Sequence, residues 1–155
     1  MGVNPEIAGR VYPPSPAYEV GREKIREFAE AINSWDPLHR DPEAARAKGY
    51  PDVIAPPTLA VLVAQRSDAQ VIIDPEAGID FSRVVHGEQR FIHHRPIVAG
   101  DVLVATLHVD EVDTRGRHAM VSTRVEIADA DGSPVTTAKS TIVVRGAGEG
   151  AKEGS

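Results

Sequence analysis

Two short stretches of this chain bring proton-carrying side chains close together in sequence. Asp36 and His39 stand three residues apart in the loop Ser34-Trp35-Asp36-Pro37-Leu38-His39. A carboxylate beside an imidazole is common equipment for moving a proton to or from a substrate. The same pair has a plainer reading, in which Asp36 accepts a hydrogen bond from the backbone of its own turn. His86 and Glu88 are two residues apart, so on a regular strand they share one face and form a substitute acid–base pair. His93 and His94 are adjacent and point to opposite faces, which argues against joint metal ligation. The sequence shows neither metal-ligand spacing nor a phosphate-cradling glycine loop, so no metal and no cofactor is expected.

These residues need elements to hold them. Ile25, Phe28, Ala29 and Ile32 recur at three- and four-residue spacing, which predicts an amphipathic helix beginning after Gly21. Asn33 to Pro37 end that helix in a loop. Asp41 is a candidate N-cap for a short helix running from Pro42 to Gly49. Pro57 presets the backbone for a third helix, from Thr58 to about Gln70. Leu59 to Ala64 make its first half apolar on every face, the pattern of a buried helix.

Further along, valine, isoleucine and threonine dominate four runs: Arg83 to Ile92, Asp101 to Val112, His118 to Ala128 and Val135 to Arg145. Arg115-Gly116 and Asp131-Gly132 mark hairpins between the later runs. Before all of this, Pro13, Pro14 and Pro16 limit Val11 to Tyr18 to an extended lead-in or an edge strand. The pattern predicts an α+β layer fold, a four-stranded antiparallel meander with helices on one side. Residues 1–145 read as a single domain, and residues 146–155 as a disordered tail.

Composition sets the bounds. The chain has 155 residues, 41% hydrophobic and 26% charged, as expected of one globular domain. Cysteine is absent, which excludes disulfides and thiolate metal sites. A net charge of −6 argues against a nucleic-acid surface. The first residues lack the apolar run of a signal peptide, and no stretch is long enough to span a bilayer. A cytoplasmic protein that binds neither membrane nor nucleic acid is the expectation.

The loop Ser34 to His39 resembles the hydratase motif Asp-x-Asn-Pro-x-His of the MaoC-type hydratases and dehydratases. Arg40-Asp41-Pro42-Glu43-Ala44-Ala45, Gly49, Ile54-Ala55 and Arg95-Pro96-Ile97-Val98-Ala99-Gly100-Asp101 continue the likeness. Tyr18 to Phe28 and Asp52 to Thr58 resemble actinobacterial (3R)-hydroxyacyl-ACP dehydratase subunits and their relatives. The likeness runs from about Gly9 to Arg145. It implies a hot-dog fold, an antiparallel sheet wrapped around a long buried helix. It also implies an acyl-ACP or acyl-CoA thioester as ligand, with dehydration or hydration across C2 and C3.

Carried over residue by residue, His39 falls on the family His and Asp36 on the family Asn. Ser34 falls on the catalytic Asp, and a hydroxyl is a poor proton carrier near neutral pH. Active members have His-Gly where this chain has Pro56-Pro57; that glycine donates an N–H to the thioester oxygen, and Pro57 has none. The resemblance therefore implies a subunit that binds the acyl chain with a degenerate site. It would work as a homodimer, or as a heterodimer with a catalytically intact MaoC-type chain. Two other readings stay open: a self-sufficient hydratase using Asp36 and His39, and a non-catalytic acyl-thioester-binding or scaffolding protein. Thr58 and Leu59, at the helix start, are candidate substrate contacts, and Trp35 is a channel wall or a packing anchor.

Overall fold

The computed structural model describes residues 2–146. Five antiparallel strands form one sheet: β1 (Tyr18–Glu19), β2 (Val84–His93), β3 (Val102–Arg115), β4 (His118–Ala128) and β5 (Pro134–Val144). Three α-helices accompany them: α1 (Arg22–Ala31), α2 (Pro42–Ala47) and α3 (Ala60–Ile73). Single 3-10 turns at Pro37–His39 and Pro57–Leu59 lead toward α2 and α3. The nine residues expected to form most of the tail, 147–155, lie outside the described residues.

The sheet forms because its strands alternate. In β4, Ala119, Val121, Thr123, Val125 and Ile127 face inward and are buried, and the intervening residues are not. β3, β4 and β5 follow one another as a meander, joined by turns in which Gly116 (φ 60°) and Gly132 (φ 82°) take left-handed conformations. The expected fourth step of the meander is different. The order is β1-β3-β4-β5-β2, so the strand that comes first in sequence after α3 pairs with the last one. Residues 94–101 carry the chain from β2 across to β3, which leaves β2 at one edge.

At the other edge the lead-in does more than stay extended. Tyr12 and Ser15 N–H donate to the Leu107 and Ala105 carbonyls (2.9 and 2.8 Å), and Gly9 N–H donates to Val109 (2.7 Å). The prolines between them supply no donors, which suits a segment with one side facing outward.

α3 lies in the concave face, packed on β3, β4 and β5. Ala60, Val63, Ala64, Ser67 and Val71 form its sheet-facing stripe and join Leu103, Leu107, Val125 and Ile127 in the core. The sequence pattern placed this helix at Thr58 to Gln70; it enters through the 3-10 turn and runs three residues further. Its first half is not buried on every face, since Val61 and Leu62 are only partly covered. α1 buries Ile25 and Ala29, whereas Ile32, expected on the same stripe, is exposed beyond the helix end.

Candidate functional site

The loop between α1 and α2 is built from the backbone upward. Asn33 takes φ 58° and lets the chain leave α1, after which Ser34 N–H donates back to the Ala29 carbonyl (2.8 Å). The Asp36 carboxylate accepts from Leu38 N–H at 2.9 Å and caps the 3-10 turn that Pro37 begins. This is the plainer of the two roles open to Asp36. Among the described residues, no hydrogen bond joins its side chain to that of His39.

His39 closes the turn and is 8% exposed. Its Nδ1 lies 2.7 Å from the Ile54 carbonyl oxygen. A carbonyl oxygen only accepts, so Nδ1 carries the proton, and Nε2 of the neutral ring keeps the lone pair that a base needs. Ile54 is fixed on both sides: its N–H donates to the Leu38 carbonyl (2.9 Å), and it bridges to Val98. His39 is thereby tied to a segment that reaches Pro57 only three residues later.

Trp35 is no packing anchor, being 60% exposed. Its Nε1–H donates to Asn33 Oδ1 (2.7 Å), and the Arg40 guanidinium sits 4.8 Å from the ring centroid. Arg40 also reaches Glu30 (2.9 Å), and Arg26 donates to the Arg40 carbonyl (3.0 Å), so the loop is strapped to α1.

At the start of the central helix, Thr58 is exposed and Leu59 is wholly buried in the core. Leu59 N–H donates to the Pro56 carbonyl (3.0 Å). Pro57 offers no N–H, so Thr58 carries the first amide that could meet an anion at this helix start. Sequence reasoning weighed His93 only as a metal ligand and missed that it stands there. Its Nδ1 lies 2.9 Å from Thr136 Oγ1, its ring stacks on Phe91 at 5.8 Å, and it faces the Pro57 carbonyl. Desolvation holds its imidazole below the ordinary value, against an upward pull from Pro57. Gln89, Phe91 and His93 alternate along one face, a visible signal, but nothing in the sequence said that this strand meets the helix start.

The second expected acid–base pair does not exist. His86 pairs with Ile142 and Glu88 with Thr141, two successive residues of β5, because a bulge at Gly87 shifts the register. His86 and Glu88 therefore point to opposite faces. A Cβ at Gly87 would come 3.3 Å from the Thr141 carbonyl oxygen, which explains the glycine. His93 and His94 approach Thr136 and Thr137 respectively and so diverge.

Two surface hollows of about 490 and 200 Å³ lie elsewhere. The larger is framed by Tyr50, Arg95 and Asp101, the smaller by polar side chains on the outer face of the sheet, such as Glu88 and Lys139. Neither is lined by Trp35, His39, Thr58 or Leu59. Among the described residues, no helix is long and apolar enough to cross a membrane.

A family model for the dehydratase domain region of FAS1-like proteins matches residues 7–138. The chain belongs to that family. A family relative from Saccharopolyspora erythraea, known as a UPF0336 protein, is 58% identical over 149 residues, 96% of each chain. A chain of the C-terminally truncated HadBC (3R-hydroxyacyl-ACP dehydratase) complex from Mycobacterium tuberculosis is similar in structure. Its TM-score is 0.80 at 34% identity, over 88% of this chain and 96% of that one. A MaoC-like dehydratase aligns with a TM-score of 0.83 at 31% identity, over 90% of this chain and 42% of its own length. The α+β hot-dog fold and the MaoC-like dehydratase family are thus those that the loop motif indicated.

Proposed function

We propose that this chain is the acyl-binding subunit of a MaoC-like (3R)-hydroxyacyl-thioester dehydratase in cytoplasmic fatty-acid metabolism. Its ligand is an acyl-ACP or acyl-CoA thioester, and a catalytically intact chain of the same fold completes the site. The observation that carries this reading is the state of the Ser34 to His39 loop. Dehydration removes the C2 proton to a base while the C3 hydroxyl leaves as water, and negative charge builds on the thioester oxygen. His39 is oriented to exchange a proton through Nε2. The other carboxylate that could help, Asp36, is held by the Leu38 amide. Ser34 stands in the carboxylate position, and Pro57 removes an amide from the helix start. One proton carrier and a displaced donor make a poor hydratase. The 34% identical HadBC chain comes from a dehydratase complex, which supports a chain that works with another.

The test is hydration of crotonyl-CoA and of a longer trans-2-enoyl thioester by the purified chain alone. Turnover far below about 10 per second, the median for enzymes, is expected. Turnover at that rate would instead make Asp36 and His39 a self-sufficient pair. Ser34→Asp together with Pro57→Gly should raise hydration more than either change alone. One restored oxyanion donor is worth roughly 100-fold. A folded double variant that binds enoyl thioester yet hydrates nothing would leave a binding or scaffolding role.

A further inference from the structure

β2 is the last strand of the sheet, ten residues long, and its outer edge pairs with nothing among the described residues. Exposed apolar side chains lie along it and just before it: Phe81 (70%), Val85 (44%) and Ile92 (42%). An edge of this length and composition needs a cover.

A buried carboxylate lies on the same side of the molecule. On α3, Arg66 stacks over Tyr18 of β1 (4.7 Å), and Gln70 donates to the Pro13 carbonyl (3.1 Å). These two residues mark the helix flank that faces the β1 edge. At about 100° per residue, Asp68 projects from the opposite flank, toward β5 and β2, beside Val61, Gln65 and Ile72. Its Oδ1 is buried and accepts no hydrogen bond among the described residues. The charge is correspondingly disfavoured, and burial lifts the carboxyl to about 6.

On the functional reading above, a second hot-dog chain covers the face between α3 and β2; we propose that Asp68 selects which one. It accepts a partner that presents a Lys or Arg donor to this flank, and refuses another copy of the same chain. The inference rests on the functional reading above and gives the partner a chemistry. Charge complementarity decides the choice of occupant. A second copy, seated edge to edge about a two-fold axis, brings the same flank of α3, with Gln65 and another Asp68. From the helix-facing side of β2 it brings His86, Gln89 and His93, none of them a permanent cation, while Arg90 lies on the outer face. Each copy also carries a net charge of −6. Pairing of two copies would complete the burial of two carboxylates without giving either a cation.

Sedimentation equilibrium at pH 8 on the full chain tests this. Asp68→Asn keeps the shape and removes the charge, and should dimerise at least about tenfold more tightly than wild type. In an equimolar mixture of wild type and Asp68→Lys, native mass spectrometry should find more mixed dimer than the roughly one half given by random pairing. Self-association of Asp68→Asn equal to or weaker than wild type overturns the proposal. So does a mixed dimer at or below the random share. A wild-type dimer already tight below micromolar names a second copy as the occupant, and overturns it too. Should Asp68→Lys not fold, as judged by circular dichroism, the Asn variant decides alone. Fast hydration by wild type alone would defeat the functional reading without altering these association constants.

Discussion

The two edges of the sheet are finished in opposite ways. At the β1 edge a two-residue strand and the proline-rich lead-in cover β3, with Gly9, Tyr12 and Ser15 each donating to its carbonyls. Ser15 Oγ also accepts from Ala105 N–H (3.0 Å). At the β2 edge, among the described residues, ten residues lie open, interrupted only by the bulge at Gly87, with apolar side chains beside them. One edge is sealed by the chain itself and the other is left for something else. The site follows this division, since the helix start at Pro57 meets β2.

The sharpest way to break this contrast is to compare side chains on the two sides. Leu107, whose carbonyl meets the lead-in and whose side chain is wholly buried in the core, should cost about 2–5 kcal/mol when changed to Ala, lowering Tm by roughly 5–15 °C. Phe81→Ala, in the turn that leads into the open strand, should stay within about 0.5 kcal/mol. Equal losses in thermal unfolding would mean that the open side is already covered.

A smaller effect is set by pH. The Asp68 carboxyl is raised from 3.8 to about 6 by burial. Between about pH 4 and 6 the folded chain keeps a proton that the unfolded chain has released, so stability falls as pH rises through that window. The loss is on the order of 3 kcal/mol and persists above it. Asp68→Asn should therefore gain little over wild type at pH 4 and about that amount at pH 7. A margin that does not change with pH would place Asp68 in water rather than on a desolvated flank.

The smallest effect concerns the loop. Asn caps as well as Asp, so Asp36→Asn should change stability by less than about 0.5 kcal/mol, whereas Asp36→Ala should cost about 1 kcal/mol. Any hydration measured with a partner should survive Asp36→Asn. Its loss there, with unchanged melting, would make Asp36 a proton carrier after all.

Much of this was legible in the residues. The alternation from Ala119 to Ile127 gives β4 its inward face, and Asp41 caps α2 by accepting from Glu43 N–H (2.9 Å). The motif around His39 names the family. What the sequence hid depends on distant pairing. Nothing local tells β2 to lie beside β5, since sequential strands are neighbours only about two-thirds of the time. Gly87 was a signal for the bulge, as an isolated glycine in a strand often is, and reading past it joined His86 to Glu88. Asp68 went unremarked, although the helix was expected inside the sheet, because Gln65 to Gln70 are mostly polar and read as solvated until packing shows which flank is covered.

The lead-in also has a consequence for how the molecule is made. Ser15 is bound to Ala105, 90 residues further along the chain. A nascent chain emerging from its N-terminus holds that segment long before β3 exists to receive it. The lead-in is thus made before β3 but seated only after it, and contacts so distant in sequence close slowly. During that interval β3 could be offered another edge, and the prolines at 13, 14 and 16 keep the waiting segment from pairing as a strand elsewhere.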